Sequence, residues 1–157
     1  MAQVFRRHHN TLARVVVVSG LLAIVGLAVG GSAITRSPWW TKVSEPPDQP
    51  VPFSHKHHYE ELGIDCRYCH WSVTQSAHAG VPSTQVCMTC HSQIWTNSPL
   101  LEPVRDSFNN EKPLVWNKVN NLPEFVYFDH SAHVNKGISC ASCHGGIEKM
   151  HLTHKSQ

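Results

Sequence analysis

The chain has 157 residues, enough for about one domain, with 13 Lys+Arg against 11 Asp+Glu and a formal charge of +2. Its basic surplus is Arg6, Arg7 and Arg14, ahead of an apolar run, and so slight a balance excludes a nucleic-acid surface built on general basicity. All six Cys lie in three C-x-x-C-H pentapeptides, which leaves none for a disulfide framework.

Residues 1–14 are expected to be a cytoplasmic N-terminus and 15–35 a transmembrane anchor. Val15 to Ile34 is twenty residues without a charge, and about 20 apolar residues span a bilayer as a helix. A cleaved signal peptide is the rival reading, but its apolar core is usually shorter, roughly 7–15 residues. The arginines before the run favour an inside N-terminus, and Trp39-Trp40 after it suits the headgroup level. The rest of the chain would then lie on the periplasmic side of a single-pass inner membrane protein. Residues 36–52 read as a spacer, because Glu45 to Pro52 holds four prolines in eight residues and proline favours an extended course.

Residues 53–157 carry the chemistry. Phe53 to His70 reads FSHKHHYEELGIDCRYCH, and Phe128 to His144 reads FDHSAHVNKGISCASCH. Both contain Phe-x-His-x-x-His, then Gly-Ile-x-Cys-x-x-Cys-His, and a third C-x-x-C-H lies between them at Cys87 to His91. C-x-x-C-H reads as a c-type haem attachment site. Three covalent haem c groups are therefore expected, on the thiols Cys66/Cys69, Cys87/Cys90 and Cys140/Cys143, with His70, His91 and His144 as proximal iron ligands. The spacing of the first two pairs also fits a zinc ribbon. A ribbon does not require a His directly after each pair, and it would leave the third pair without a partner.

Distal ligands are in surplus. Two His three residues apart cannot serve one iron already held on its other face, but they can serve two neighbouring haems. His55, His58, His130 and His133 are thus four candidates for three places. His57 reads as a spacer that could replace His58; His78, His151 and His154 read as surface residues, and Met88 or Met150 as weaker alternatives. Tyr59 to Leu62 suits a short helical turn stopped by Gly63, and Pro82-Ser83-Thr84 suits the start of a short helix carrying the second motif. Ser98-Pro99 suits a helix start, with Leu100, Leu101, Val104 and Phe108 along it and Pro103 limiting its length. Trp95 and Trp116 read as core or haem-packing residues, and PEFVYF (Pro123 to Phe128) as an extended segment. The expected fold is mainly α with long loops and little regular sheet. It is a transmembrane helix followed by a multihaem domain too small to fold well without its porphyrins.

Phe-x-His-x-x-His ahead of C-x-x-C-H resembles the class III cytochromes, the c3/c7 type. That resemblance implies His55 on the haem at Cys66/Cys69 and His130 on the haem at Cys140/Cys143, with His58 and His133 reaching neighbours. VPFSHKHH, LGIDCRYCH, CMTCHSQIWTNSPLLEPVR, VWNKV, LPEFVYFDHSAHV and CHGGIEKM together resemble the multihaem cytochrome c subunit of alternative complex III, a bacterial quinol:electron-acceptor oxidoreductase. The resemblance implies an electron-relay subunit and no catalytic residues of its own. Its partners would be an iron–sulfur subunit, integral quinol-oxidising subunits and a monohaem cytochrome c. The family subunit usually has five haem motifs, so three reads as a truncated or split product, and the family pattern has a His where Asn120 stands. A stand-alone membrane-anchored carrier feeding a periplasmic reductase is the alternative. A small multihaem nitrite or peroxide reductase is disfavoured, because abundant distal His closes the open axial position such catalysis needs.

Overall fold

The computed structural model describes residues 6–156; the first five residues of the expected 1–14 segment, Gln157 and the Arg7 side chain lie outside the described residues. The chain divides into two compact units, Met1–Lys42 and Val43–Gln157.

The first unit is one long helix and a short one. Helix α1, Arg7–Arg36, has 30 residues and so measures about 45 Å, against a hydrocarbon core of about 30 Å. Among the described residues it is the one helix long and apolar enough to cross a membrane. Its valines and leucines are exposed along its length, as a lipid-facing helix requires. Pro38 follows, so Ser37 takes an extended conformation and the helix stops. Ser37 Oγ returns a hydrogen bond to the Ile34 carbonyl at 2.6 Å. Helix α2, Pro38–Thr41, then carries Trp39 and Trp40, both exposed.

The second unit contains no strand among the described residues. Its β pairing is an isolated parallel bridge between Val43 and Lys155, which ties its two ends together. Its helices are short: α3, Cys66–Cys69; α4, Thr84–His91; α5, Glu102–Asn109; α6, His130–Val134; and α7, Ala141–His144. Each C-x-x-C-H therefore lies on or at the edge of its own helical turn. Asp65 starts α3 by accepting the Arg67 backbone N–H at 2.8 Å, and Asp129 starts α6 by accepting that of Ser131 at 2.8 Å. Ser83 precedes α4 as expected, but its side chain makes no capping bond.

The helix that holds Pro103 is short, as expected. A 3₁₀ turn, Pro99–Leu101, leads into α5, where Pro103 sits in the first turn and its missing N–H costs nothing. Only Leu101 and Val104 of the expected stripe are buried; Leu100 and Phe108 face outward. With Val51 they form a small apolar cluster against which Cys87, Met88, Leu114 and Trp116 pack. Trp95, by contrast, is exposed and stacks on His57. The Pro-rich stretch is bound to this unit: Val51 is in the cluster, and Asn117 donates from its side chain to the Asp48 carbonyl at 2.6 Å and from its backbone to Gln49 Oε1 at 2.9 Å. Among the described residues no other buried hydrophobics occur beyond Val73 and Met150, so the unit has little core of its own. PEFVYF forms no strand, and Phe125 and Tyr127 are exposed.

The two long repeats differ by one residue, and the fold shows where it goes. Four residues separate His58 from Gly63, and three separate His133 from Gly137. The first repeat forms a π-helical turn, Lys56–Glu61, where the second forms the α-helical α6. A π turn is how a helix takes in one extra residue. Both turns then close alike: Ile64 N–H donates to the His58 carbonyl at 3.0 Å, and Ile138 N–H to the His133 carbonyl at 3.2 Å. Gly63 and Gly137 both have positive φ, +71° and +82°, which explains a glycine at each stop.

Candidate haem-ligating centre

The ring geometry of the two repeats is the same. Phe53 meets His55 edge-on at 4.9 Å and stacks on His58 at 4.4 Å. Phe128 meets His130 edge-on at 4.8 Å and stacks on His133 at 4.6 Å. One phenylalanine thus wedges two imidazoles apart, so that they address different places.

Every motif and repeat histidine is held by Nδ1. His58 Nδ1 pairs with the Ser54 carbonyl at 2.8 Å and His133 Nδ1 with the Asp129 carbonyl at 2.7 Å. His55 Nδ1 meets Thr153 Oγ1 at 2.9 Å, and His130 Nδ1 the Ala77 carbonyl at 2.7 Å. His70 Nδ1 meets the Gly80 carbonyl at 2.7 Å, and His91 Nδ1 the Ile94 carbonyl at 3.2 Å. His144 Nδ1 meets the Asn120 side-chain amide at 3.2 Å. That amide offers an acceptor as well as a donor from the same position. A ring held through Nδ1 presents Nε2 to a metal, and a carbonyl on the far nitrogen makes it a better donor.

Two pairs of rings stand opposed. His130 and His144 are 6.4 Å apart, centroid to centroid, with planes 6° from parallel. His58 and His91 are 6.2 Å apart with planes crossed at 68°. An imidazole–metal bond is about 2 Å and the nitrogen-to-centroid distance adds roughly 1 Å, so two rings on opposite faces of one metal stand roughly 6 Å apart. Both spacings leave room for one metal between the rings. Burial, then the neighbouring imidazoles of His70, His58 and His144, lowers the His55 pKa to about 4. Burial first, then His130 and His70, lowers that of His144. Burial also lowers that of His58, with His57 and His91 adding to it against the Ser54 carbonyl. Each stays neutral near pH 7, the form that binds metal.

The six thiols are all free, but they are not equivalent, although the sequence treats the two members of each pair alike. Cys66, Cys69 and Cys87 are half-buried, and burial raises the pKa of each. Cys90, Cys140 and Cys143 are exposed. Cys90 and both thiols of the third pair are therefore not enclosed by protein. The physical reason is the size of their supports. Cys87 packs on the apolar cluster, whereas Cys90, one turn on and near the end of α4, is not part of it; the hydrogen-bond contact of its Sγ is with the neighbouring Thr89 Oγ1, at 3.9 Å. Cys143 lies on α7, a four-residue turn with no buried residue, where its N–H donates to the Cys140 carbonyl at 3.2 Å. That bond keeps both thiols of the third pair on one turn without covering either. Open sulfurs of this kind leave room for a porphyrin edge, which would itself provide the missing cover.

No three His, Cys, Asp or Glu side chains converge among the described residues, so the first two Cys pairs do not assemble a zinc-ribbon tetrad. Separate thiol pairs, each followed by its own His, suit covalent porphyrin attachment instead.

The comparisons with known proteins agree with this donor set. No protein-family model matches the chain. Over 115 residues it is 33% identical to the multihaem cytochrome c subunit of a menaquinone reductase from Nitratidesulfovibrio vulgaris Hildenborough. By motif and by likeness the chain is similar to multihaem cytochromes c. The match covers 71% of this chain and 54% of the relative, so the chain spans about half the length of the curated relative it matches.

The other histidines fall outside the opposed pairs. His57 Nδ1 meets Glu61 Oε2 at 2.8 Å, and His151 Nδ1 meets Ser54 Oγ at 3.3 Å. His78 and His151 are exposed, while His154 is half-buried. Met88 packs on the apolar cluster and Met150 is buried. Sequence reasoning did not reach the Nδ1 partners Thr153, Ala77 and Gly80. Of these only Gly80, at φ +73°, leaves a trace in the sequence, as a glycine behind a motif.

Proposed function

We propose that this chain is an electron-transfer subunit of a membrane quinol:electron-acceptor oxidoreductase of the alternative complex III type. The observation that carries the reading is the pair of opposed imidazoles, His130/His144 and His58/His91, each joining a repeat histidine to the histidine of a C-x-x-C-H. Three haem c groups would be held on Cys66/Cys69, Cys87/Cys90 and Cys140/Cys143. His70, His91 and His144 would be the proximal ligands. His55, His58 and His130 would be the distal ligands, on the first, second and third sites respectively. Neither His55 nor His133 makes a ring contact with a motif histidine among the described residues, but His55 is half-buried with the His70 imidazole acting on it, whereas His133 is exposed, which makes His133 the spare candidate. Bound haem supplies a one-electron iron couple, and bis-His ligation generally sets it lower than Met/His.

The chain's own residues do the rest. They orient Nε2 through Nδ1 and keep the imidazoles of His55, His58 and His144 neutral, and with haem bound they would hold the iron so that small molecules do not bind. The subunit is accordingly a carrier and not a catalyst. Helix α1 would anchor it in the inner membrane, with residues 43–156 on the periplasmic side. Its partners would be an iron–sulfur subunit, integral quinol-oxidising subunits and a monohaem cytochrome c. The relative's own name, a menaquinone reductase subunit, supports a quinone-linked complex. Mass spectrometry of the mature polypeptide, in a host that matures c-type cytochromes, should show three added haems, and purification from its native membrane should bring down those partners. An unmodified mass overturns the cofactor assignment, and a haem-loaded monomer that never co-purifies overturns the complex.

A further inference from the structure

The three motifs follow one another in sequence as first, second and third, but the hydrogen bonds order them differently. The turn of the first repeat docks on the segment after the third motif. Lys56 N–H donates to the Met150 carbonyl at 3.0 Å, His55 Nδ1 meets Thr153 Oγ1 at 2.9 Å, and His151 Nδ1 meets Ser54 Oγ at 3.3 Å. The turn of the second repeat docks on the segment after the first motif. Its His130 and Ser131 N–H groups donate to the Ala77 and Ser76 carbonyls at 3.2 and 3.3 Å, and Asn135 Nδ2 donates to the Thr74 carbonyl at 3.0 Å. The exchange is reciprocal: each long repeat grips the tail of the other's haem motif. That is the contact pattern of an isologous pair, in which equivalent groups meet at the axis. Cys66 and Cys140, the first thiols of the two motifs, do lie against each other; after burial, Cys140 is what raises the Cys66 pKa.

The second motif joins this pair from one side. Tyr68 Oη, inside the first motif, lies 2.9 Å from Thr89 Oγ1, inside the second. His58 of the first repeat also stands 6.2 Å from His91 of the second motif, centroid to centroid. His55 and His58, three residues apart on one turn, share Phe53 between them. Among the described residues no hydrogen bond or ring contact joins residues 87–91 to residues 140–144.

We propose that the first and third attachment sites form one reciprocal pair, and that the first is the junction through which the second is connected, so that the spatial order is second, first, third. The proposal rests on the electron-transfer reading above and adds a layout to it. It predicts strong electrostatic interaction between sites one and three and between sites one and two, and a weaker one between sites two and three.

The test uses the full-length, haem-loaded protein. Haem methyl resonances, followed by exchange NMR through successive oxidation stages, give the shift in each site's midpoint when each other site is reduced. The two–three interaction is expected to be about twofold smaller than either of the others, because in this order its separation is up to about twice theirs and the Coulomb energy falls as 1/r. Three double variants repeat the measurement with two haems each. C87A/C90A and C140A/C143A should keep a mutual shift, and C66A/C69A should lose about half of it. The wild-type measurement stands alone if a variant fails to fold. A two–three interaction equal to or larger than the others, in a protein carrying three haems by mass, overturns the order and leaves the electron-transfer reading intact. A protein that carries no haem overturns both.

Discussion

The first and second Phe-x-His-x-x-His turns hold their rings alike and use them differently. In each, the phenylalanine meets the first histidine edge-on and the second face-on, with distances that agree within 0.2 Å. Yet His58 stands opposite His91, 6.2 Å away, whereas His133 stands opposite no motif histidine in any ring contact among the described residues. The local sequence therefore sets how a histidine points, and tertiary placement of the C-x-x-C-H helices sets what it points at. In the first repeat it is the second histidine, half-buried His58, that meets a motif histidine; in the second repeat it is the first, His130, while His133 is exposed.

The largest effects should come from the opposed histidines. Replacing His130 or His58 by Ala should turn one haem of three from low-spin to high-spin and raise its midpoint, visible by absorption and by potentiometry. His133→Ala should leave the spin state of all three unchanged, and a high-spin fraction in that variant would break the contrast between the repeats. Acid comes next. The unfolded chain takes up protons near pH 6.5, whereas folded His55 resists them until about pH 4. Folded His58 and His144 are shifted in the same direction. The unfolded state thus binds more protons in this window, so stability should be full above about pH 6.5 and fall as pH drops toward 4. Thermal melts across that range should show a decreasing midpoint, and a rising one would contradict these burials.

A smaller effect is expected at Asn120. Its amide lies 3.2 Å from His144 Nδ1, so Asn120→Leu should move the midpoint of the third site alone, as outer partners of a ligand histidine do. The smallest should follow deletion of Glu60, an exposed residue of the π turn. With the spacing of the second repeat restored, the turn should become α-helical at a cost within about 1 kcal/mol, and the His58–His91 site should stay low-spin. Loss of that site would show that the extra residue sets the approach of His58.

Much of this was legible in the sequence because the chemistry is local. C-x-x-C-H brings two thiols and a histidine together within five residues, and the charge-free run from Val15 to Ile34 became the one long apolar helix among the described residues. The scarcity of sheet also followed, from loops rich in turn residues and no alternating stretch. Long-range pairing was not legible. Asn117 binds the Pro-rich stretch across 68 residues of sequence, and Thr153 reaches His55 across 98. No periodicity announces such contacts. Nor does a motif say how its thiols are covered: Cys69 is half-buried where Cys90 and Cys143, at the same motif position, are exposed. Pro103 pointed correctly to a short helix: α5 has eight residues, and the proline sits in its first turn. Leu100 and Phe108 misled because a short helix on a small cluster buries only a narrow face.

Low-temperature EPR of the fully oxidised, haem-loaded protein tests the central claim most directly, because the relative orientation of two axial imidazoles governs how far the iron π orbitals split. Rings 6° apart, as in His130/His144, should give a well-resolved rhombic low-spin signal. Rings crossed at 68°, as in His58/His91, should give a separate, highly anisotropic low-spin signal. Both signals together are the predicted result; a spectrum dominated by high-spin iron, or one without the anisotropic species, would contradict the assignment of these opposed histidines as the ligands.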